Sequence, residues 1–153
     1  ERTGWDGKSF NIYKLRSLSK INNLLKTKQV KAGDTRLLKI GYILRRFSID
    51  ELPQFFNVLL GDMSVVGPRP HMEVHTEKYQ VSVDKYLVRH FVKPGITGLA
   101  QIKGYRGEIV EQSDIINRTR LDVFYVEKWS LWLDVKIIIK TVLNAVQGEE
   151  KAY

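Results

Sequence analysis

The chain has 153 residues, 43% of them hydrophobic, no cysteine and a formal net charge of +8. That length is one ordinary domain with apolar material for one core. The missing cysteines exclude a disulfide scaffold, a thiolate metal centre and a thiol nucleophile. The charge is uneven: residues 1–50 carry 12 Lys or Arg against 4 Asp or Glu, and residues 51–153 carry 13 of each. Such a basic segment suits a phosphate-bearing partner, whether nucleic acid, anionic lipid or a phosphorylated substrate; a solvated basic face is the plainer alternative. No apolar run approaches the roughly 18 residues of a membrane-spanning helix.

In chain order, Gly4 and Gly7 open on a loose turn, and residues 9–16 (SFNIYKLR) predict a strand whose period of two sets Phe10, Ile12, Lys14 and Arg16 on one face. Asp34 or Thr35 predicts the cap of a helix through Arg46, with Leu37, Ile40, Gly41 and Leu44 on one stripe. Arg45 and Arg46 then stand at its C-terminal end, where cations are favoured. Residues 48–61 (SIDELPQFFNVLLG) carry a second helical signal, followed by a turn, the short apolar run Val65-Val66 and the irregular Gly67-Pro68-Arg69-Pro70. Residues 71–91 read as mostly helical, 93–98 (KPGITG) as a loop and 99–102 as a short strand. One helix is expected from Ser113 or Asp114 toward Trp129 and another over about residues 130–146. The apolar arc of the last is wide. Core packing is the favoured reading; Trp129, Trp132 and three consecutive isoleucines also suit a helix lying in a membrane interface. The fold class is α+β: a helix-dominated single domain over residues 1–153 with a few short strands.

Asp50 and Glu51 are adjacent acids with Arg45 and Arg46 upstream and Arg69 downstream in a Pro-Arg-Pro turn. Acids beside several cations suit phosphoryl transfer, which needs a nucleophile, a divalent cation on hard oxygen ligands and positive groups on the non-reacting oxygens. A structural alternative fits the same letters. Ser48 and Glu51 have capping-box spacing, and on that reading the acids only start a helix. Pro53 argues against it, because a helix begun at Ser48 loses a donor there, whereas a helix beginning at Pro53 loses nothing and leaves both acids in an exposed approach. His71 and His75 share a helical face and suggest zinc, but no third ligand is identifiable. The glycines lack the spacing of nucleotide-binding fingerprints.

Residues 48–70, SIDELPQFFNVLLGDMSVVGPRP, resemble the signature of the bacterial sugar transferases, the monotopic polyprenyl-phosphate phosphoglycosyl transferases. Residues 10–17 (FNIYKLRS), 93–101 (KPGITGLAQ) and 121–142 are similar too, so the resemblance covers nearly the whole chain. It implies transfer of a sugar-1-phosphate from a UDP-sugar to polyprenyl (undecaprenyl) phosphate with release of UMP, as the first membrane step of surface polysaccharide assembly. On this resemblance Asp50 is the nucleophile and a ligand of Mg2+, and Glu51 supports metal or proton handling. Lys14, Arg45 and Arg69 are the phosphate-contacting cations. Leu18 and Phe47 depart from the family pattern without touching that chemistry. The resemblance also implies a membrane-inserting helical segment before the Gly4 region, so the expectation is a truncation, itself soluble or peripheral, of a protein at the cytoplasmic face of the inner membrane.

Two other readings stay open on the residues. A non-enzymatic basic module could bind anionic membrane or nucleic acid, but no nucleic-acid motif is present and Asp50, Glu51 and Arg69 would then share no purpose. Direct transfer in a ternary complex, with Asp50 holding magnesium and never becoming covalent, is the second.

Overall fold

The computed structural model describes residues 1–19, 34–107 and 109–147. Lys20, Lys26, Lys28 and Lys31, four of the cations that make the N-terminal third basic, lie outside them. The architecture is α+β, with helices predominating and four short strands, among the described residues, arranged in two separate ladders.

β1 (Arg2–Thr3) pairs antiparallel with β2 (Ser9–Phe10) across a 3-10 turn at Trp5–Gly7. Only the first two residues of the expected 9–16 strand therefore join a ladder. Beyond them the chain stays extended, but its backbone groups turn to a side chain and a distant turn. Tyr13 N–H donates to Asn57 Oδ1 at 3.0 Å, Asn57 Nδ2 donates to the Asn11 carbonyl at 2.8 Å, and Leu15 N–H donates to the Asp50 carbonyl at 3.0 Å. A fully buried asparagine stands in for a neighbouring strand and satisfies groups that a sheet would otherwise have to pair.

α1 (Lys39–Arg46) starts several residues after the expected cap. The Asp34 carboxylate instead accepts from the Arg36 backbone N–H at 2.9 Å and the Arg36 guanidinium at 2.8 Å, a local turn that competes with helix capping. Of the predicted stripe, Gly41 is the buried member. A Cβ there would lie 2.1 Å from the Ser17 carbonyl oxygen, so α1 crosses the N-terminal segment at backbone contact. Ile40, by contrast, is 60% exposed.

Between α1 and α2 (Gln54–Leu60) lies a 3-10 turn, Ile49–Glu51, entered through Ser48 in the left-handed region at φ 58°. Ser48 makes no capping hydrogen bond, so the capping-box alternative fails, and Pro53 takes the position just before α2. Asp50 and Glu51 are nevertheless buried, not exposed as that arrangement implied. The extended segment bearing Lys14 covers the turn on one side, as the Leu15 to Asp50 bond shows.

β3 (Ser64–Val66) runs parallel to β4 (Gly95–Thr97), which lies inside the segment read as a loop. Glycine is obligatory at this contact: a Cβ on Gly95 would sit 2.1 Å from the Gly67 nitrogen. The Pro-Arg-Pro turn is thereby anchored on the 93–98 segment, where Gly95 N–H also donates to the Pro68 carbonyl at 2.9 Å.

α3 (Glu73–Ser82) and a 3-10 turn, Tyr86–Phe91, fill the expected helical stretch. α4 (Leu99–Ile102) replaces the expected strand: Leu99, Ala100 and Gln101 are buried in succession, which an alternating strand does not allow. α5 (Gln112–Glu127) begins with a capping box between Glu111 and Asp114, and α6 (Leu131–Gln147) closes the described chain. One apolar cluster joins Val66, Leu99, Tyr125 and Ile137, and a second joins Tyr79, Val83, Tyr86 and Ile115. α6 enters the first cluster along a single stripe, Leu133 and Ile137, continued by Thr141, whose Oγ1 is 2.6 Å from Thr97 Oγ1. Most of its other apolar side chains, Trp132 and Leu143 among them, are exposed, so core packing describes only part of this helix. No helix among the described residues is long and apolar enough to cross a membrane.

Candidate functional site

The 3-10 turn Ile49–Glu51 presents its two acids to four other parts of the chain. Glu51 Oε1 accepts from Lys14 Nζ at 2.7 Å and from Arg69 NH2 at 2.6 Å. Its Oε2 accepts from Arg69 NH1 at 3.1 Å and from Arg106 NH2 at 3.0 Å. Arg69 therefore grips the carboxylate with both arms of its fork, the geometry a lysine cannot make. Burial alone would raise the Glu51 pKa, but Arg69, Lys14 and Arg106 outweigh it and hold the group well below the ordinary glutamate value. Glu51 is thus a permanent anion at neutral pH.

Asp50 differs. Burial raises its pKa above the ordinary aspartate value, with Lys14 opposing and Glu51 reinforcing the rise. Arg45 and Arg106 also oppose it. Among the described residues its carboxylate accepts no hydrogen bond, so the oxygens keep their lone pairs for another group. A buried, weakly partnered carboxylate facing cations is a stronger nucleophile and a less stable anion than one wrapped in donors.

Of the residues singled out in the sequence, Lys14, Asp50, Glu51 and Arg69 converge here. Arg45 lies in the last turn of α1, near enough to favour the Asp50 anion, and its buried Nε has no hydrogen-bond partner among the described residues. Arg2, from β1, is close enough to Arg69 and Glu51 to feel both charges. His71 and His75 do not form a metal site: His71 Nδ1 accepts from Arg89 at 2.6 Å, and a cation in that place would face two buried guanidiniums, Arg89 and Arg118.

Two residues of this arrangement escaped the sequence reading. Arg106 sits in an irregular stretch between Gly104 and Gly107, and the only local signal was that pair of glycines around a cation. Asn57 looked like a polar residue in the middle of a helix; its role as a substitute strand for the segment carrying Lys14 depends on a contact 44 residues away.

Replacing Arg69 by lysine keeps the charge but loses the two-armed grip. For the nucleotide-sugar turnover that the sequence resemblance implies, the expected result is a fall of about 10²-fold in kcat/KM, with the fold intact by circular dichroism. An unimpaired Arg69→Lys protein would show that the fork is not used.

The family described as bacterial sugar transferase matches residues 1–148. Among curated proteins, the chain is 51% identical over 143 residues to a UDP-glucose:undecaprenyl-phosphate glucose-1-phosphate transferase of Klebsiella pneumoniae, covering 94% of this chain and 31% of that protein. It is 48% identical over 143 residues to the protein of the same name from Escherichia coli (strain K12), with the same coverage of each chain. It is 38% identical over 147 residues to a UDP-N-acetylgalactosamine-undecaprenyl-phosphate N-acetylgalactosaminephosphotransferase of Aeromonas hydrophila, covering 96% of this chain and 34% of that one. The chain spans about a third of the length of these relatives. With the match running through both the acid turn and the Pro-Arg-Pro turn, the chain belongs to the bacterial sugar transferase family.

Proposed function

We propose that the chain is the catalytic part of a phosphoglycosyl transferase that moves a sugar-1-phosphate from a UDP-sugar to a polyprenyl phosphate at the cytoplasmic face of the bacterial inner membrane. The observation that carries this reading is the charge arrangement. An ionised Glu51 engages Lys14, Arg69 and Arg106 beside a buried Asp50 that accepts no hydrogen bond among the described residues. With Arg45 and Arg2 counted, five cations exceed the two carboxylates by three charges, an excess that suits the negative charge of a nucleotide-sugar diphosphate. Relatives named for UDP-glucose and for UDP-N-acetylgalactosamine, both with undecaprenyl phosphate, support the donor and acceptor classes and leave the sugar open.

In this reaction an Asp50 oxygen attacks the phosphorus that bears the sugar. The P–O bond to UMP breaks, UMP leaves with the electron pair, and an aspartyl phosphosugar remains. An oxygen of the polyprenyl phosphate then attacks the same phosphorus and the carboxylate departs. Lys14, Arg69 and Arg106 spread the charge that develops on the phosphate oxygens. Glu51 holds those cations in register instead of moving a proton, since its pKa keeps it ionised.

The residues fit a magnesium ion brought with the substrate. Asp50 offers one carboxylate without competing donors, no trio of ligating side chains exists among the described residues, and Mg2+ is commonly held by one or two carboxylates plus substrate phosphates. When bound, the ion would neutralise diphosphate charge.

The acid turn lies between two helices whose outer faces are apolar and open. Ile43 on α1, Phe47, and Phe55, Phe56 and Leu59 on α2 are all exposed, with Arg46 among them. That surface suits a lipid headgroup layer and would bring the site to a lipid-borne acceptor. Binding to liposomes should rise with anionic lipid and weaken as salt increases; equal pelleting with and without liposomes would contradict it.

The proposed activity is tested by UMP release from a panel of UDP-sugars, with magnesium and a polyprenyl phosphate in detergent. Release confined to one or a few sugars, and dependent on magnesium, supports the reading and identifies the donor. A panel that yields no UMP contradicts it.

A further inference from the structure

Behind the site lies a charged cluster that the proposed chemistry does not use. Arg89, on the Tyr86–Phe91 turn, and Arg118 and Asp122, one turn apart on α5, are all at most 5% exposed. Arg89 NH2 is 3.0 Å from Asp122 Oδ2 and also donates to the Arg69 carbonyl. Arg118 NH2 donates to the Gly107 carbonyl at 3.0 Å, on the residue after Arg106. Between the two, His71 accepts from Arg89 and approaches Arg118 at 3.4 Å.

Two guanidiniums face one carboxylate here. Burying a surplus cation is costly, and well-packed apolar residues would hold α5 in place at least as well. Burial lowers the Arg118 pKa to about 10, with Arg69 and Arg89 adding to the fall and Asp122 opposing it. Stability alone does not account for such a cluster. What the two guanidiniums have in common is their second partner: each donates to a backbone carbonyl at, or next to, one of the two arginines that grip Glu51.

We propose that Arg89 and Arg118 are positioning residues, tied together through α5 and Asp122, that set the Arg69 and Arg106 guanidiniums at the spacing a diphosphate requires. The inference rests on the proposed function only in taking Arg69 and Arg106 as the diphosphate cradle. Arg89 acts through Arg69 by fixing the Pro-Arg-Pro turn, and Arg118 acts through Arg106 by fixing the Gly104 to Gly107 segment.

The test is two pairs of double-mutant cycles, one pair for each positioning arginine, read by calorimetric titration of UDP into the chain, with thermal melting of each variant as the folding control. Arg118→Lys and Arg89→Lys keep the charge but shorten the reach, and each should weaken UDP binding by roughly tenfold. In the Arg106→Lys background, Arg118→Lys should add no further loss, while in the Arg69→Lys background it should keep its full effect. Arg89→Lys should show the reverse pattern, and either pair of cycles suffices if the Arg118→Lys or the Arg89→Lys variant fails to fold. Losses that multiply alike in both backgrounds would mark a merely structural cluster and overturn the proposal, as would unchanged binding in the single variants or a wild-type chain that binds no UDP. A chain that binds UDP with the expected coupling but releases no UMP from UDP-sugars keeps this inference and counts against the proposed reaction instead.

Discussion

Replacing Glu51 by glutamine should destabilise the protein by about 3 kcal/mol, because it leaves Lys14, Arg69 and Arg106 crowded together without the anion that all three contact. Surface ion pairs are worth little, but this carboxylate is only 7% exposed and the guanidinium of Arg106 14%, so solvent screens the loss poorly. The pH dependence gives the sign. Glu51 has a folded-state pKa well below the ordinary glutamate value of 4.5, so its contribution is fully present above that value and is lost as pH falls toward the folded pKa. The stability gap between wild type and Glu51→Gln should therefore be widest at neutral pH and should close on acidification below about 4.5. Urea unfolding at a series of pH values measures it. A gap that does not depend on pH would mean that the glutamate acts by shape and not by charge. Turnover should fall as well, since the cations lose their common anchor.

Asp50→Asn should have the opposite effect on stability. The folded-state pKa of Asp50 is raised by burial, so folding favours the protonated form, and the ionised carboxylate present at neutral pH costs stability. A neutral amide of the same shape removes that cost, and the melting temperature should rise by on the order of a few degrees. UMP release, in contrast, should drop by about 10⁴-fold or more, because the amide is no nucleophile. Wild-type turnover should also decline on the acid side with an inflexion above 3.8, the ordinary aspartate value, since only the ionised carboxylate attacks. A less stable Asp50→Asn protein would mean that the carboxylate is held by contacts the structure does not show. An active one would remove Asp50 from the chemistry. A residue that costs stability and is indispensable to turnover is the expected mark of a site built for reaction.

Much of this site was legible in the letters, and the reasons for success and failure are physical. Pro53 identified where α2 begins, because a proline can end an approach but not continue a helix, and that freed Asp50 and Glu51 from a capping role. The prolines around Arg69 identified an irregular turn for the same reason. Burial of the two acids was not legible: it comes from the extended segment around Lys14, fastened by Asn57 across 44 residues, and no local pattern reports such a fastening. The strand expected over residues 9–16 failed because extended backbone needs a hydrogen-bonding partner but not necessarily another strand. The strand expected over residues 99–102 failed because a short apolar run fits a buried helical turn equally well, and here three consecutive residues face the core. Arg106 was invisible because it meets Glu51 from 55 residues away, on a segment fastened to α5 through Arg118, and no local pattern reports either contact. The wide apolar arc of α6 was read correctly as apolar, but periodicity does not say how much of an arc a neighbour covers.

The most direct test of the account is mass spectrometry of the intact chain and its peptides after mixing with the UDP-sugar that supports UMP release, in the absence of polyprenyl phosphate. A gain of one sugar phosphate on the peptide containing Asp50, lost when polyprenyl phosphate is added and absent in Asp50→Asn, is the predicted result. An unmodified chain that releases UMP only when both substrates are present would show direct transfer in a ternary complex and would contradict the covalent role of Asp50.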